Sequence, residues 1–168
     1  VRFPARFQLV AAMNPCPCGY LGDPSGRCRC SAEQIQRYRS KLSGPLLDRI
    51  DLHLHVAREA TALHANPDSG TSSAQAAATV AAARQRQEQR QGGANAFLDL
   101  QQLRQHCGLS DDDQHWLESA CERLGLSLRA AHRLLKVART LADLDAVDAI
   151  QRSHLAEALQ YRPSSPTA

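Results

Sequence analysis

The sequence predicts an α/β segment followed by an all-helical bundle. Residues 1–60 combine Pro, Gly and Cys with short apolar runs of strand character. Residues 73–162 carry almost continuous helical periodicity, punctuated by caps and short turns. Between them, His64 to Thr71 is rich in breakers and reads as part of a linker over 61–72. Hydrophobic residues make up 43% and aromatics only 4%, so the core must rest on Leu, Ala and Val, which favours helices.

Taken in order, Phe7 to Met13 (FQLVAAM) is an apolar run expected as a buried strand. A loop over 14–30 follows, crowded with Pro, Gly and four cysteines. Ser31-Ala32-Glu33-Gln34 is a capping box opening a helix to about Leu42. Ser43-Gly44-Pro45 breaks it and starts a helical turn through Arg49. Ile50, Leu52, Leu54 and Val56 then alternate with Asp51, His53 and His55, the period of a strand covered on one face. In the second half, Ser73 to Gln91 reads as one helix stopped by Gly92-Gly93. Asp99 with Gln102 boxes the next helix, which ends at Cys107-Gly108. Ser110 caps another, with Asp111, Asp112 and Asp113 in its first turn, where the helix dipole favours acids. Its stripe is Trp116, Leu117, Ala120, Cys121 and Leu124. Ser127 caps a longer helix with Leu128, Ala131, Leu134, Leu135, Ala138, Leu141 and Ala142 at helical spacing. Ser153 is expected to open the last helix, and 163–168 reads as a disordered tail.

Net charge is +3, too small to demand a nucleic-acid partner; of twenty basic residues only Lys41 and Lys136 are lysines. Arginine suits bidentate phosphate recognition, although a GC-rich genome enriches Arg and Ala equally well. No run approaches the roughly 18 apolar residues of a membrane span, and no signal-peptide pattern is present, so a cytoplasmic protein with no membrane partner is expected. The chain begins with Val1 rather than Met and is expected to be a piece of a longer protein.

Four features could carry chemistry. Cys16, Cys18, Cys28 and Cys30 form C-x-C-x9-C-x-C in a loop with no core of its own. Four thiolates on a tetrahedral Zn2+ would supply the missing order, though C-x2-C is the commoner zinc spacing; two disulfides or free thiols are the alternatives. Cys107 and Cys121 fall on apolar helix faces and read as core. Asn14 directly follows FQLVAAM. Its amide could orient a water against a γ-phosphate, or simply satisfy the turn before Pro15. Arg49, in Ser43-Gly44-Pro45-Leu46-Leu47-Asp48-Arg49-Ile50-Asp51, could neutralise charge on a phosphoryl group held by a neighbouring subunit, or pair locally with Asp48 and Asp51. Arg129 sits in the first turn of a helix, where the dipole disfavours a cation, which hints at a phosphate ligand, or it is simply an exposed arginine in an Arg-rich chain; Arg133 is one turn on. His53 and His55 read as solvated, as does the polar end Arg84, Arg86 and Arg90 with Gln85, Gln87, Gln89 and Gln91, for which contact with phosphate is the alternative.

The order of these segments is more specific than any one of them. FQLVAAMNPCPCGY, the CRC pair, SAEQIQRYRSKLSGPLLDRIDLHLHV and LSLRAAHRLLKVARTLADL followed by HLAEALQYR resemble the magnesium-chelatase-like AAA+ ATPases of the competence-protein ComM (YifB) family. The resemblance covers nearly all of 3–162. It implies that residues 1–60 are the C-terminal part of an AAA+ α/β core with a cysteine-rich insert, and that 73–162 are its helical lid. By matching position, Asn14 looks like the sensor-1 residue, Arg49 like the arginine finger acting on ATP in the next subunit, and Arg129 like the sensor-2 arginine reaching ATP in its own. The resemblance further implies a homo-hexamer formed through Arg49, an upstream core carrying ATP and Mg2+, and DNA branch migration in natural transformation. A chelatase-type subunit and a non-enzymatic zinc and helical-bundle module are the alternatives.

One departure limits the reading. No G-x-x-x-x-G-K-[ST] loop and no apolar run ending in Asp-Glu occur in the chain, so phosphates cannot be cradled and magnesium cannot be held by these residues. The parent is expected to be an ATP hydrolase; this polypeptide alone is expected to be inactive, with its core strands short of partners.

Overall fold

The computed structural model describes residues 7–56 and 70–162. The chain divides into two compact units, with the break between Leu46 and Leu47. The expectations for residues 1–6 and 57–60 of the first segment, for 61–69 of the linker and for the tail 163–168 lie outside the described residues.

Every regular element among the described residues is helical. The elements are α1 (Ala32–Arg39), α2 (Gly44–Leu47), α3 (Ser73–Gln91), a 3-10 turn (Asn95–Phe97), α4 (Leu100–His106), α5 (Asp111–Arg123), α6 (Leu128–Leu144) and α7 (Arg152–Gln160). The helical half of the expected fold class is therefore present, and no α/β core is visible among the described residues. Both expected strands are corrected: 7–13 and 50–56 run as irregular chain. Phe7 and Val10 are 78% and 84% exposed, and Leu54 and Val56 are 71% and 88% exposed. A strand keeps its form through ladder hydrogen bonds to a neighbour, and no described residue offers either segment a ladder. Apolar patterning marks which face of a strand should be covered and does not itself supply the cover.

The first unit is built from turns and one capped helix. Ser31 Oγ accepts from Gln34 N–H at 3.2 Å while the Gln34 side chain accepts from Ser31 N–H at 3.0 Å, so the expected capping box opens α1. The helix stops at Arg39, three residues short of the expected Leu42, with Ser40 as its C-cap. None of its residues is buried.

The second unit is organised around α6, which packs against α3, the 3-10 turn, α4 and α7. Its inward face places Leu134, Ala138 and Ala142 beside Leu103, Leu117 and Leu155. Small residues alternating with Leu let the helices approach closely, which a core with few aromatics needs. The caps follow the sequence. Ser72 and Asp99 complete capping boxes on α3 and α4, Ser110 and Ser127 accept from Asp113 and Ala130 N–H, and Gly92 ends α3 with φ +72°. The start of α7 differs: Gln151, not Ser153, is the N-cap, because the ring of His154 takes the Gln151 N–H at 3.0 Å. That bond makes Nδ1 an acceptor, and Nε2 lies 3.1 Å from the Asp145 carboxylate. Within the α6 stripe, Leu128 is 74% exposed and Ala130 is buried in its stead.

Candidate functional site

The cysteine loop is drawn together by three turns. Gly19, Asp23 and Gly26 N–H donate to Cys16, Tyr20 and Asp23 carbonyls at 3.0, 3.1 and 3.2 Å. Gly19 sits at φ +80°, a conformation that side chains rarely adopt, and so reverses the chain right after Cys18. Arg27 then closes over the Tyr20 ring, 4.4 Å from its centroid. As a result Cys16, Cys18, Cys28 and Cys30, spread over fifteen residues, bring their sulfurs within 4.8 Å of one another. Cys16–Cys18, Cys18–Cys28 and Cys16–Cys28 sulfur separations are 3.4, 3.6 and 3.8 Å. All four are free thiols, far outside the roughly 2.05 Å of a disulfide. Four sulfurs each about 2.3 Å from one tetrahedral ion stand about 3.8 Å apart, so this donor set fits Zn2+ in chemistry and in size.

The thiols perturb one another. Backbone hydrogen bonds from Tyr20 and Arg29 draw the Cys18 thiol down to about 6. At Cys30 a backbone hydrogen bond from Cys18 pulls the same way, yet the Cys18 thiol, desolvation and the nearby Cys16 outweigh it and push Cys30 up to about 12. Protein groups alone thus favour some thiolates at the expense of others, and a divalent cation placed among the sulfurs would let all four ionise together.

Asn14 belongs to this first unit. It is exposed and lies beside the reversal at Gly19, where a methyl group would stand 3.6 Å from its Nδ2. No strand ends at it among the described residues.

Arg49 and Arg129 belong to the second unit, and both are exposed. The backbone beside Arg49 is gripped by Arg133: one guanidinium donates to the carbonyls of Asp48 and Arg49 and, at 2.5 Å, to the Asp51 carboxylate. The chain continues by donating His53 N–H to the Tyr161 carbonyl at 2.7 Å, and the His53 ring lies 3.2 Å from the Leu47 carbonyl. The half-buried His53 is thus a docking residue and not a solvated one, while His55 is exposed as expected. Nearby, the Arg162 guanidinium is buried, with Nη2 3.8 Å from Asp48 and with Nε and Nη1 lacking acceptors. Arg129 and Arg133 are four residues apart on α6, about 6 Å along its axis and on one face.

A second cluster was invisible to the sequence reading. Asp143, 2% exposed, receives Arg90 at 2.6 and 2.9 Å, Arg139 at 3.1 Å and the Asn95 amide at 2.8 Å. Asn95 also accepts from Arg90 and Gln91, each at 2.9 Å, and its backbone N–H reaches the buried Gln87. The polar end of α3 is therefore partly internal: Gln87 and Arg90 enter the network while Arg84 stays outside. Three or four residues separate the members along α3 and α6, the spacing of a solvated salt-bridged face as well, so periodicity alone could not sort them.

Comparison with known proteins divides the chain in the linker region and not at the Leu46–Leu47 break. Residues 70–162 match the family described as magnesium chelatase, subunit ChlI C-terminal, and residues 1–63 match magnesium chelatase, subunit ChlI. The chain is 51% identical over 164 residues to the uncharacterized protein YifB of Escherichia coli K12, covering 96% of this chain and 32% of that protein. It is 48% identical over 164 residues to competence protein ComM of Haemophilus influenzae, with the same coverages. An uncharacterized protein of Mycobacterium tuberculosis is 40% identical over 163 residues, 95% of this chain and 32% of that one. The chain thus spans about a third of the length of the curated relatives it matches. Among the described residues no helix is long and apolar enough to cross a membrane.

Proposed function

The chain belongs to the magnesium chelatase subunit ChlI family, and from that premise we propose that it forms the sensor, arginine-finger and lid portion of a hexameric AAA+ ATPase that drives branch migration of DNA. The observation that carries the reading is the docking of the Arg49 segment onto α6 one turn from Arg129. Two exposed arginines are thereby carried on one rigid piece: one in the first turn of a helix, the other on a turn held beside it. Similarity to a relative named for competence supports the DNA side of the proposal.

In this reading Arg129 binds the phosphates of ATP in its own subunit. The dipole penalty of a cation in a first turn, about 0.3–1 kcal/mol, is offset when an anion arrives. Arg49 reaches the neighbouring subunit's ATP and neutralises charge developing on the transferred group. Asn14 orients the attacking water. Mg2+, when bound by the rest of the parent protein, neutralises the phosphates. The cysteine quartet holds Zn2+ and thereby gives the 14–30 loop the stability it does not gain from burial. The exposed faces of 7–13 and 50–56 pair with the upstream AAA+ core.

A chelatase-type role is the second reading, favoured by the family description itself. ATP hydrolysis by the full-length protein, with and without branched DNA, separates the two: stimulation by branched DNA supports branch migration, and indifference favours the chelatase. In the same protein, Arg49→Ala should cut turnover by about 10³ while nucleotide binding stays intact. Unchanged turnover would remove the finger assignment.

A further inference from the structure

We propose that Arg133 is a positioning residue for Arg49, a clamp that ties the arginine offered to a neighbouring subunit to the helix carrying Arg129. The inference rests on the reading of Arg49 as an arginine acting in trans. Its basis is what Arg133 holds. Two of its three acceptors, the carbonyls of Asp48 and Arg49, are main-chain atoms, and the third is the Asp51 carboxylate. A pair between side chains leaves the backbone free to swing. A planar guanidinium that takes two successive carbonyls fixes the peptide from which the Arg49 side chain departs, and so sets its direction. Arg133 is only 20% exposed on its side chain, so the contact is partly shielded from water.

The clamp has a consequence for communication between sites. Arg129 and Arg133 leave the same face of α6 one turn apart, and a helix moves as a unit. Any displacement of α6 that accompanies phosphate binding at Arg129 is passed through Arg133 to the 48–51 turn. Occupancy of one subunit's site is thereby reported to the Arg49 that serves the next.

The test uses the full-length protein, with steady-state ATP hydrolysis and fluorescent-nucleotide binding measured for Arg49→Ala, Arg133→Ala, Arg133→Lys and the double variant R49A/R133A. The clamp predicts that Arg133→Ala lowers kcat on the order of 10²-fold, the cost of misplacing a reacting group by about an ångström. KM for ATP should stay within about twofold, because the nucleotide's own contacts are untouched. Arg133→Lys should not restore kcat, since a point ammonium cannot span the three acceptors. R49A/R133A should be no slower than Arg49→Ala alone, because a clamp on an absent side chain has nothing to position. Multiplying losses in the double variant, or a raised KM with normal kcat, overturns the clamp and makes Arg133 an independent element. Normal turnover in Arg133→Ala beside a crippled Arg49→Ala overturns the clamp alone; normal turnover in Arg49→Ala overturns the finger reading with it. Should Arg133→Ala misfold, Asp51→Asn removes the charged acceptor and leaves α6 intact: a smaller kcat loss at constant KM is expected, and wild-type kcat overturns the clamp.

Discussion

Removing Asp143 should destabilise the helical unit more than removing any surface charge. Its carboxylate is 2% exposed and is the shared acceptor of Arg90, Arg139 and Asn95. Asp143→Ala leaves Arg139, also 2% exposed, as a buried cation with only the carbonyls of Val147 and Asp148 and an Nε that already lacks a partner. Breaking a buried pair by deleting one partner costs about 3–5 kcal/mol, and Arg90, 24% exposed, recovers a part of this by turning to water. Folded domains retain only about 5–15 kcal/mol, so the variant should lose a large fraction of its stability. At about 2–4 °C per kcal/mol for a chain of this size, Tm should fall on the order of 10 °C. Circular dichroism melts and urea titrations of the chain at pH 7 measure both. Acid supplies an independent check. Burial alone would raise the Asp143 carboxyl, but the Arg90 hydrogen bond, Asn95 and Arg139 outweigh it and hold it below the usual 3.8. A depressed carboxylate stabilises the fold above its unfolded value and loses that contribution as pH falls through the folded one. The wild-type chain should therefore lose this stability below about pH 4, and Asp143→Ala should lack that part of the acid limb. A loss under about 1 kcal/mol, or an unaltered acid limb, would refute the claim that an uncompensated buried charge is what the network prevents.

Two further outcomes follow from the thiols. The chain purified without chelator should hold about one equivalent of zinc, and Cys16→Ser should lower it sharply, since Cys16 is the fully buried member of the quartet; zinc below about a tenth of an equivalent in the unmutated chain would favour free thiols. Cys107 is 4% exposed and burial pushes its thiol up to about 11, so it should resist maleimide labelling at pH 8 in the native chain and react once urea is added; rapid native labelling would contradict its place in the core.

What the sequence disclosed well was local. Capping boxes at Ser31 and Asp99, the Ser110 and Ser127 caps and the Gly92 stop each depend on a few neighbouring residues, and each was legible. The convergence of the four cysteines was legible as a hypothesis because turn residues at Gly19 and Gly26 leave few ways to run the loop. The segments 7–13 and 50–56 failed as strands for the opposite reason: a strand is a relation between distant segments, and patterning specifies only one side of it. Gln151 displaced Ser153 as the N-cap because the acceptor came from a histidine three residues on, itself fixed by Asp145 across the turn.

The arginines show the same limit in sharper form. Arg90, Arg129, Arg133 and Arg139 are chemically identical and all lie on helices, yet they occupy different circumstances. Arg139 is internal, donating to the Val147 and Asp148 carbonyls and so holding the turn in which Ala146 adopts φ +59° without being glycine. Arg90 neutralises Asp143 from the edge of the core. Arg133 grips backbone 84 residues away in sequence, and Arg129 is exposed. Sequence singled out Arg129 because it breaks the dipole rule in its own first turn, a local signal. No local signal separates Arg133 from Arg139, since both obey helical spacing, and what distinguishes them is which distant carbonyls arrive at the guanidinium. Helix α6 therefore carries a core anchor, a backbone clamp and an exposed cation on one continuous rod. A substitution that tilts α6, such as one in its Leu134 or Ala138 contacts, should disturb the Arg49 turn without touching it.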